Sequence, residues 1–149
     1  MDKIDLRILK LLQHDARMSY KDLGEKVNLS ANTVAERIRH LISKRIIENF
    51  TAEIDLGALG LRVEALIDVK LASGTSAKQF EKAIQTIPGI LEATLLTGKS
   101  DYMLRVACTD QLDLVRLIES LRERAGVQET QSHLILKKFD VQSVLNFGF

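Results

Sequence analysis

Apolar residues recur at helical spacing in three groups within the first 45 positions, and short polar segments separate these groups. The first group follows Asp2, the second follows Ser19 and the third follows Ser30. These leading residues carry short oxygen-bearing side chains, which are preferred as the amino-terminal caps of helices. The pattern predicts three short helices, and Asn28 predicts a left-handed turn residue between the second and the third.

The third predicted helix has an apolar side and a polar side. Val34, Ile38 and Leu41 share the apolar side at about 100° per residue. Between Ser30 and Arg45 the chain holds four Lys or Arg residues and a single acid. A short helix, a turn and a second helix with a basic outer side are typical of a helix-turn-helix, whose second helix enters the DNA major groove. The candidate DNA-binding residues are Ser30, Asn32, Thr33, Glu36, Arg37, Arg39, His40, Lys44 and Arg45.

Within this set, Asn32 and Thr33 are the candidates for base edges, because residues near the start of a recognition helix reach them. The four basic residues are candidates for phosphate or base contacts. Glu36 has two interpretations that the pattern leaves open: it accepts from a cytosine amino group, or it holds Arg37 or Arg39 in place. An ordinary solvated surface helix is the alternative for the whole segment, since fold alone does not fix function.

A hinge is predicted after the third helix. Phe50, Ala52 and Ile54 alternate with polar residues, which predicts a strand over residues 49–54, the wing of a winged helix-turn-helix. Two glycines within residues 55–60 then interrupt the pattern. The predicted division is a helix-turn-helix domain over residues 1–48, a strand and hinge linker over 49–61, and a second domain over 62–149.

The second domain reads as strand, helix, strand, strand, helix, strand. This β-α-β-β-α-β order is that of the ferredoxin-like fold, a four-stranded antiparallel sheet with both helices on one face. The whole chain is therefore predicted to be of the α+β class. The predicted strands cover residues 62–71, 91–97, 102–107 and 128–139. The first predicted helix of this domain follows the turn at residues 74–76 and is ended by residues 87–89, and the second carries its apolar residues over 112–121 and ends near Gly126.

The other face of the predicted sheet carries apolar residues as well. Val63, Ile67, Leu95 and Ile135 cannot all be hidden by two helices. A small domain with such an uncovered face commonly buries it against a second copy of itself. The pattern therefore predicts a homodimer through the second domain.

Composition and charge narrow the classes of function. The 149 residues are 46% apolar and 28% charged, as in folded globular proteins, and the net charge is +1. Residues 1–50 hold ten Lys or Arg against seven Asp or Glu, a net +3, whereas residues 62–149 hold eleven of each. No apolar run is long enough to span a bilayer, and the first residues are too charged for a signal peptide. We expect a soluble, cytoplasmic protein without a membrane partner.

An enzyme is disfavoured by the distribution of reactive residues. The lone Cys108 and the three His residues lie far apart in the predicted structure, and no phosphate-binding glycine motif is present. We expect no catalytic residues, no metal and no cofactor. RNA binding is also disfavoured, because no paired aromatics lie on a central strand. A ligand-binding or assembly module that does not bind DNA stays open, although it would leave the first 48 residues without a purpose.

Two segments carry a resemblance to a known family. Residues 29–38 (LSANTVAERI) and 97–102 (TGKSDY), together with residues 5–12 and 51–55, resemble the Lrp/AsnC transcription regulators. The resemblance covers essentially the whole chain in the right order. It implies a sequence-specific, amino-acid-responsive regulator of bacteria or archaea that binds double-stranded DNA. It also implies a homodimer through the ferredoxin-like domain and, beyond it, an octameric assembly of dimers.

The resemblance further implies an effector site near the turn at Gly98. The effector-binding candidates are Gly98, Lys99, Asp101, Tyr102, Thr130 and Ser132. A zwitterionic amino acid needs an acceptor for its ammonium group and donors for its carboxylate, which Asp101 and the nearby N–H and hydroxyl groups would supply. The alternative is that Asp101 bonds its own loop. Gln131 and His133 are bulkier than the small hydroxyl residues that relatives often carry there, so the floor of the pocket is expected to differ.

Overall fold

The computed structural model describes residues 1–139, which fold into two compact units, Met1–Glu53 and Ile54–Lys138. No helix among these residues combines the length and the apolar character that crossing a membrane requires. The first unit contains α1 (Lys3–His14), α2 (Tyr20–Val27) and α3 (Ala31–Ser43). The second contains β1 (Val63–Leu71), α4 (Ala77–Ile84), β2 (Ile90–Leu95), β3 (Tyr102–Cys108), α5 (Gln111–Arg124) and β4 (Val127–Leu134).

The three predicted helix caps are confirmed. Asp2 accepts from the backbone N–H of Asp5 at 2.8 Å, and Asp5 accepts in return from the N–H of Asp2 at 3.0 Å. This reciprocal capping box satisfies two backbone donors that the start of α1 would otherwise leave unpaired. Ser19 and Ser30 cap α2 and α3 through their hydroxyl oxygens.

A close approach of backbone to backbone sets the turn between α2 and α3. Asn28 has the predicted left-handed conformation, with φ of 57° and ψ of 48°. The N–H of Leu29 then donates to the carbonyl of Gly24 at 2.9 Å. A Cβ atom on Gly24 would lie 2.5 Å from the carbonyl oxygen of Leu29, so only glycine fits this position. The turn brings the apolar sides of the three helices into one core, whose innermost residues are Ile8, Leu23, Val34, Ile38 and Leu41.

One predicted strand and one predicted strand boundary are wrong. Within residues 1–139 no strand lies between α3 and β1, so the wing predicted over residues 49–54 is not observed there. Phe50 and Ile54 are 50% and 57% exposed, and a strand without a neighbour leaves its backbone groups unpaired. The last strand, predicted to continue to residue 139, ends at Leu134, and the side chains of Leu136 and Phe139 beyond it are 94% and 73% exposed.

The second unit confirms the β-α-β-β-α-β prediction. Its sheet has the order β2-β3-β1-β4, and each neighbouring pair is antiparallel. Both helices pack on one face of the sheet, and the core between these layers includes Ile67, Val69, Phe80, Leu104 and Leu121.

The opposite, open face of the sheet, which neither α4 nor α5 covers, does not carry all the apolar residues predicted for it. Ile67 is fully buried on the helix-covered face, and the strict alternation of β1 places Val63 on that face too. Leu95 pairs with the buried Tyr102, which assigns it to the helix side as well. Both alternating sets of β1 contain apolar residues, so the sequence pattern could not determine which set faces the helices. On β1 the open face carries Glu64, Leu66, Asp68 and Lys70.

Candidate functional site

The α3 surface, defined as the nine predicted DNA-binding residues, is largely exposed. Asn32, Arg39 and Lys44 are among its exposed members, and only Thr33 and Arg37 are half-buried. The amphipathic pattern determines which side of α3 is exposed, because its apolar side packs in the core of the first unit. The hydroxyl of Ser30 lies 2.8 Å from that of Thr33 and also caps α3, so it is occupied within the helix.

Arg37 is the member of the α3 surface that turns inward. Its Nη1 donates to Asp2 Oδ2 at 2.7 Å and to Asp5 Oδ1 at 2.8 Å. Hydrogen bonding to Asp5 and Asp2 raises the pKa of Arg37 above its usual value. Within residues 1–139 no hydrogen bond or ion pair joins Glu36 to Arg37 or Arg39, so the holding role suggested for Glu36 belongs to the two aspartates.

Of the two aspartates at the start of α1, Asp2 was predicted only as a helix cap and Asp5 was given no role. Asp2 and Asp5 lie 35 and 32 positions before Arg37, so no local spacing rule indicates that they meet it. Their own spacing of three residues places both carboxylates at the same end of α1, which is the available signal. The backbone N–H of Asp5 and the guanidinium of Arg37 hold the pKa of Asp2 below its usual value.

The turn at residues 98–101 is fastened to the end of β1. The carboxylate of Asp101 accepts from the N–H of Leu71 at 2.8 Å, and the N–H of Asp101 donates to Val69 at 2.8 Å. The carbonyl of Asp101 also accepts from the N–H of Leu96 at 2.9 Å, which closes the turn. Gly98 has φ of 110°, a backbone conformation that residues other than glycine rarely adopt, and the space around its Cα atom is open.

Tyr102 points into the core rather than toward the open face. Its ring is 2% exposed and lies 4.6 Å from that of Phe80, centroid to centroid. The hydroxyl donates to Glu81 at 2.7 Å. This hydrogen bond and the burial of the ring raise the pKa of Tyr102 to about 12.

Thr130 and Ser132 stand opposite the buried Val69 and Ile67 across the β1–β4 pair, so they share the helix side of the sheet. Arg122 on α5 donates to the hydroxyl of Thr130 at 3.5 Å. The side chains of Thr130 and Ser132 therefore lie on the helix side of β4, whereas those of Gln131 and His133 lie on the open face.

A polar hollow lies beside the turn on the open face of the sheet. Its volume is about 630 Å³, and its lining residues are Asp68, Lys70, Lys99, Ser100, Glu129, Thr130 and Gln131. Of the six predicted effector residues, Lys99 and Thr130 line the hollow, although the side chain of Thr130 is directed to the helix side, whereas Gly98, Asp101, Tyr102 and Ser132 do not line it. The charged strand residues of the hollow were not predicted from the sequence. The alternation of side chains along β1 and β4, which places Asp68 and Gln131 opposite each other, could have indicated them.

The charges of the polar hollow have both signs and are largely unpaired. Within residues 1–139, Lys70, Lys99 and Glu129 form no ion pair, and Asp68 lies 3.2 Å from His133. The described residues contain no group of His, Cys, Asp and Glu that would hold a metal ion. Cys108 is buried away from the hollow on β3, and burial raises the pKa of its thiol to about 11.

Comparisons with known proteins identify both units. The AsnC-type helix-turn-helix domain matches residues 1–42, and the Lrp/AsnC ligand-binding domain matches residues 64–145. The regulator LrpC of Bacillus subtilis is 32% identical over 143 residues, 96% of each chain. The regulator AldR of Mycobacterium tuberculosis is 35% identical over 140 residues, 92% of this chain and 78% of that protein.

Solved structures give the same result. A transcriptional regulator of Neisseria meningitidis in complex with L-Met has a TM-score of 0.88 at 28% identity, covering 96% of this chain and 94% of its own. The structure of Bacillus subtilis LrpC has a TM-score of 0.86 at 32% identity, covering 95% of this chain and 99% of its own. The resemblance seen in the sequence is confirmed, and the chain belongs to the Lrp/AsnC family of DNA-binding, helix-turn-helix transcriptional regulators.

Proposed function

We propose that this regulator reads DNA as a homodimer through its α3 surface and that an amino acid bound in the polar hollow modulates it. The proposal that the chain binds DNA rests on one observation: α3 is a capped helix whose exposed side, the α3 surface, is polar and basic. Two such helices related by a two-fold axis would enter major grooves about one helical turn apart, or a multiple of it. We infer a non-catalytic role in the cytoplasm, because DNA is the partner.

The residue roles follow from exposure. Asn32, in the first turn of α3, is proposed to contact a base edge, because amide side chains pair bidentately with adenine. Arg39, Lys44 and Arg45 are exposed and have no side-chain partner within residues 1–139, so they are proposed to contact phosphate.

The first experiment selects binders from random double-stranded DNA and then measures the affinity of the enriched sequence across a salt series. We expect a palindromic sequence that keeps its advantage over random DNA as salt rises. Arg39→Ala should weaken binding and lower the salt dependence by about one counterion per site, while Arg116→Ala, an exposed arginine on α5, should change neither. If nothing enriches, the chain is a ligand-binding or assembly module instead.

The dimer is proposed through the open face of the sheet. Arg105 lies 3.7 Å from Glu64 and 3.6 Å from Glu92, and Leu66 and Met103 lie half-buried among these charges. A face that carries both signs around apolar residues can match a second copy of itself about a two-fold axis. Sedimentation equilibrium should find a dimer, or further assembly of dimers toward the octameric form. Leu66→Glu should shift the equilibrium toward monomer, and a monomeric wild-type chain would contradict the proposal.

The effector is proposed to be an amino acid with a polar side chain. The polar hollow offers carboxylates for an ammonium group and the Lys70 and Lys99 ammonium groups for a carboxylate. It is lined by charged, amide and hydroxyl side chains, so burying a branched aliphatic side chain there would gain little. The related Neisseria regulator was solved with L-Met, which supports an amino acid as the class of ligand.

A thermal-shift screen of the twenty amino acids tests this effector. We expect the largest stabilisation from polar or charged ones, and its loss in Lys99→Gln and Glu129→Gln. The matched control is Lys78→Gln, an exposed lysine on α4. Stabilisation that survives both hollow variants would move the effector site elsewhere on the domain.

A further inference from the structure

The α1–α3 clamp, defined as Asp2, Asp5 and Arg37, ties the recognition helix to the start of the first helix. One nitrogen of Arg37 donates to both carboxylates, at 2.7 Å and 2.8 Å. Charge-assisted bonds of this length are the strong kind. The clamp therefore fixes a position on α3 to a second helix by polar contacts, in addition to the apolar core beneath it.

The burial of Asp5 makes the clamp costly to open. Asp5 is 8% exposed and is the charged residue that the structure buries within residues 1–139. It already accepts from the N–H of Asp2 as part of the capping box, and its other oxygen meets Arg37. Removing the guanidinium would leave a buried carboxylate without its charged partner, which a folded chain avoids by shifting the helix or admitting water.

The clamp also lies beside the residues proposed to read DNA. Thr33 and His40 are one turn before and one turn after Arg37 on the same side of α3. With Asp5 and Glu36 they line a groove of about 440 Å³ around Arg37. Side-chain tips lie about 6 Å from a helix axis, so a rotation of roughly 10° would displace them by about 1 Å. Hydrogen bonds to base edges do not tolerate such a shift.

We propose that Arg37 is a positioning residue, which sets the rotation of α3 through Asp2 and Asp5 and does not itself contact DNA. This inference rests on the proposed reading of DNA by the α3 surface. It removes Arg37 from the candidates for phosphate contact and adds Asp2 and Asp5, the cap and a first-turn residue of α1, to the determinants of DNA affinity.

Salt dependence separates positioning from contact. An arginine that neutralises a phosphate releases about one counterion, so its removal lowers the salt slope and weakens specific and non-specific binding alike. A positioning residue changes the geometry of base contacts only. Its removal weakens binding to the selected sequence more than binding to random DNA, and leaves the salt slope unchanged.

The experiment uses the full chain, the enriched DNA sequence and random DNA across a salt series, with folding checked by circular dichroism. Arg37→Gln should lose roughly tenfold in affinity for the enriched sequence, at an unchanged salt slope. Arg39→Ala is the matched contact control and should lower the slope. A lower slope in Arg37→Gln, or an unchanged affinity for the enriched sequence, would overturn the proposal.

The acidic partners give a test of opposite sign. On charge alone, Asp5→Asn should strengthen binding to DNA, because it removes a negative charge near phosphate. The clamp predicts weaker binding to the enriched sequence. The double variant Asp5→Asn with Arg37→Gln should lose no more than the worse single variant, because both changes open the same contact. Tighter binding by Asp5→Asn, or additive losses, would contradict the clamp.

A second variant tests the clamp if Arg37→Gln does not fold. Arg37→Lys keeps the charge but cannot reproduce the planar guanidinium geometry, so we expect a smaller loss of affinity for the enriched sequence at an unchanged salt slope. If the wild-type chain shows no preference over random DNA, the proposed reading of sequence fails before any variant is compared. A failure of the clamp alone leaves the wild-type preference intact.

Discussion

The α3 surface and the 98–101 turn carry their polar side chains in different ways. On α3 the side chains of Asn32 and Arg39 point outward and form no hydrogen bond within residues 1–139, because the apolar side of the helix supplies the packing. At the turn, Asp101 is hydrogen-bonded to Leu71, and Tyr102, which follows it on β3, is hydrogen-bonded to Glu81. A helix separates its structural face from its binding face, whereas a turn uses its polar residues to hold itself.

This difference changes where the proposed binding residues lie. On α3 the proposed DNA contacts are exposed residues of the predicted set, and Arg37, which is bonded to the two aspartates of the α1–α3 clamp, is the exception. Around the turn the proposed effector contacts lie on neighbouring strands, where Lys70 and Glu129 line the polar hollow with the turn residue Lys99. Substitutions that lower the free energy of unfolding should therefore be found at apolar or close-packed positions in the helical unit and at a polar residue in the turn.

The largest effect is expected from Gly24→Ala. The methyl group would lie 2.5 Å from the carbonyl of Leu29, and the α2–α3 turn would have to open. Alanine favours the helix by about 1 kcal/mol, but overpacking against backbone should outweigh this and cost about 2 kcal/mol net. Chemical denaturation followed by circular dichroism measures the change. The linker variant Gly57→Ala is the control, and equal losses in both would refute the close-approach argument.

The next effect separates the two roles within the turn. Asp101→Ala removes the acceptor of the Leu71 N–H and should cost about 1.5 kcal/mol of unfolding free energy. Lys99→Ala should cost less than about 0.5 kcal/mol, since its side chain has no partner within the described chain. Hydrogen exchange at the Leu71 N–H should accelerate in the first variant only. Comparable exchange in both would show that Asp101 does not hold the turn.

A smaller effect should appear at high pH. The pKa of Tyr102 is raised from 10 to about 12 in the folded chain, so the stability it contributes is present below pH 10 and is lost between about pH 10 and 12. By pH 11 the loss should be about 1 kcal/mol. Tyr102→Phe should flatten this decline. The measurement belongs in a Cys108→Ala background, because the thiol, with its pKa raised to about 11, begins its own decline near pH 9.

The smallest effect should appear in acid and in the first unit. The pKa of Asp2 is lowered from 3.8, so the stability it contributes is present above that value and is lost as pH falls further. Thermal melts between pH 5 and pH 3 should show a shallower decline for Asp2→Asn than for the wild type. An identical decline would show that Asp2 adds nothing to the clamp.

Local rules were sufficient for most of the fold. The caps at Asp2, Ser19 and Ser30, and the left-handed Asn28, depend on neighbours within a few residues, and all four are confirmed. The strand expected over residues 49–54 failed, because alternation describes a side-chain pattern and cannot supply the neighbouring strand that backbone pairing needs.

The sites depended on distant partners. Arg37 meets aspartates more than 30 positions away, and Asp101 meets Leu71, 30 positions before it. A polar residue in a basic helix or a hairpin turn looks available for binding until such a partner is known. The face of β1 was also undetermined, since Leu66 and Ile67 are both apolar.

The attachment of the turn has an evolutionary consequence. Its hydrogen bonds to β1 all run through Asp101, so Lys99 and Ser100 can be replaced without loss of a bond that holds the turn. Mutation at these two positions would alter the chemistry of the hollow while the unit keeps its fold. Such a division would let a lineage change what the proposed effector site binds in small steps, each one a stable protein.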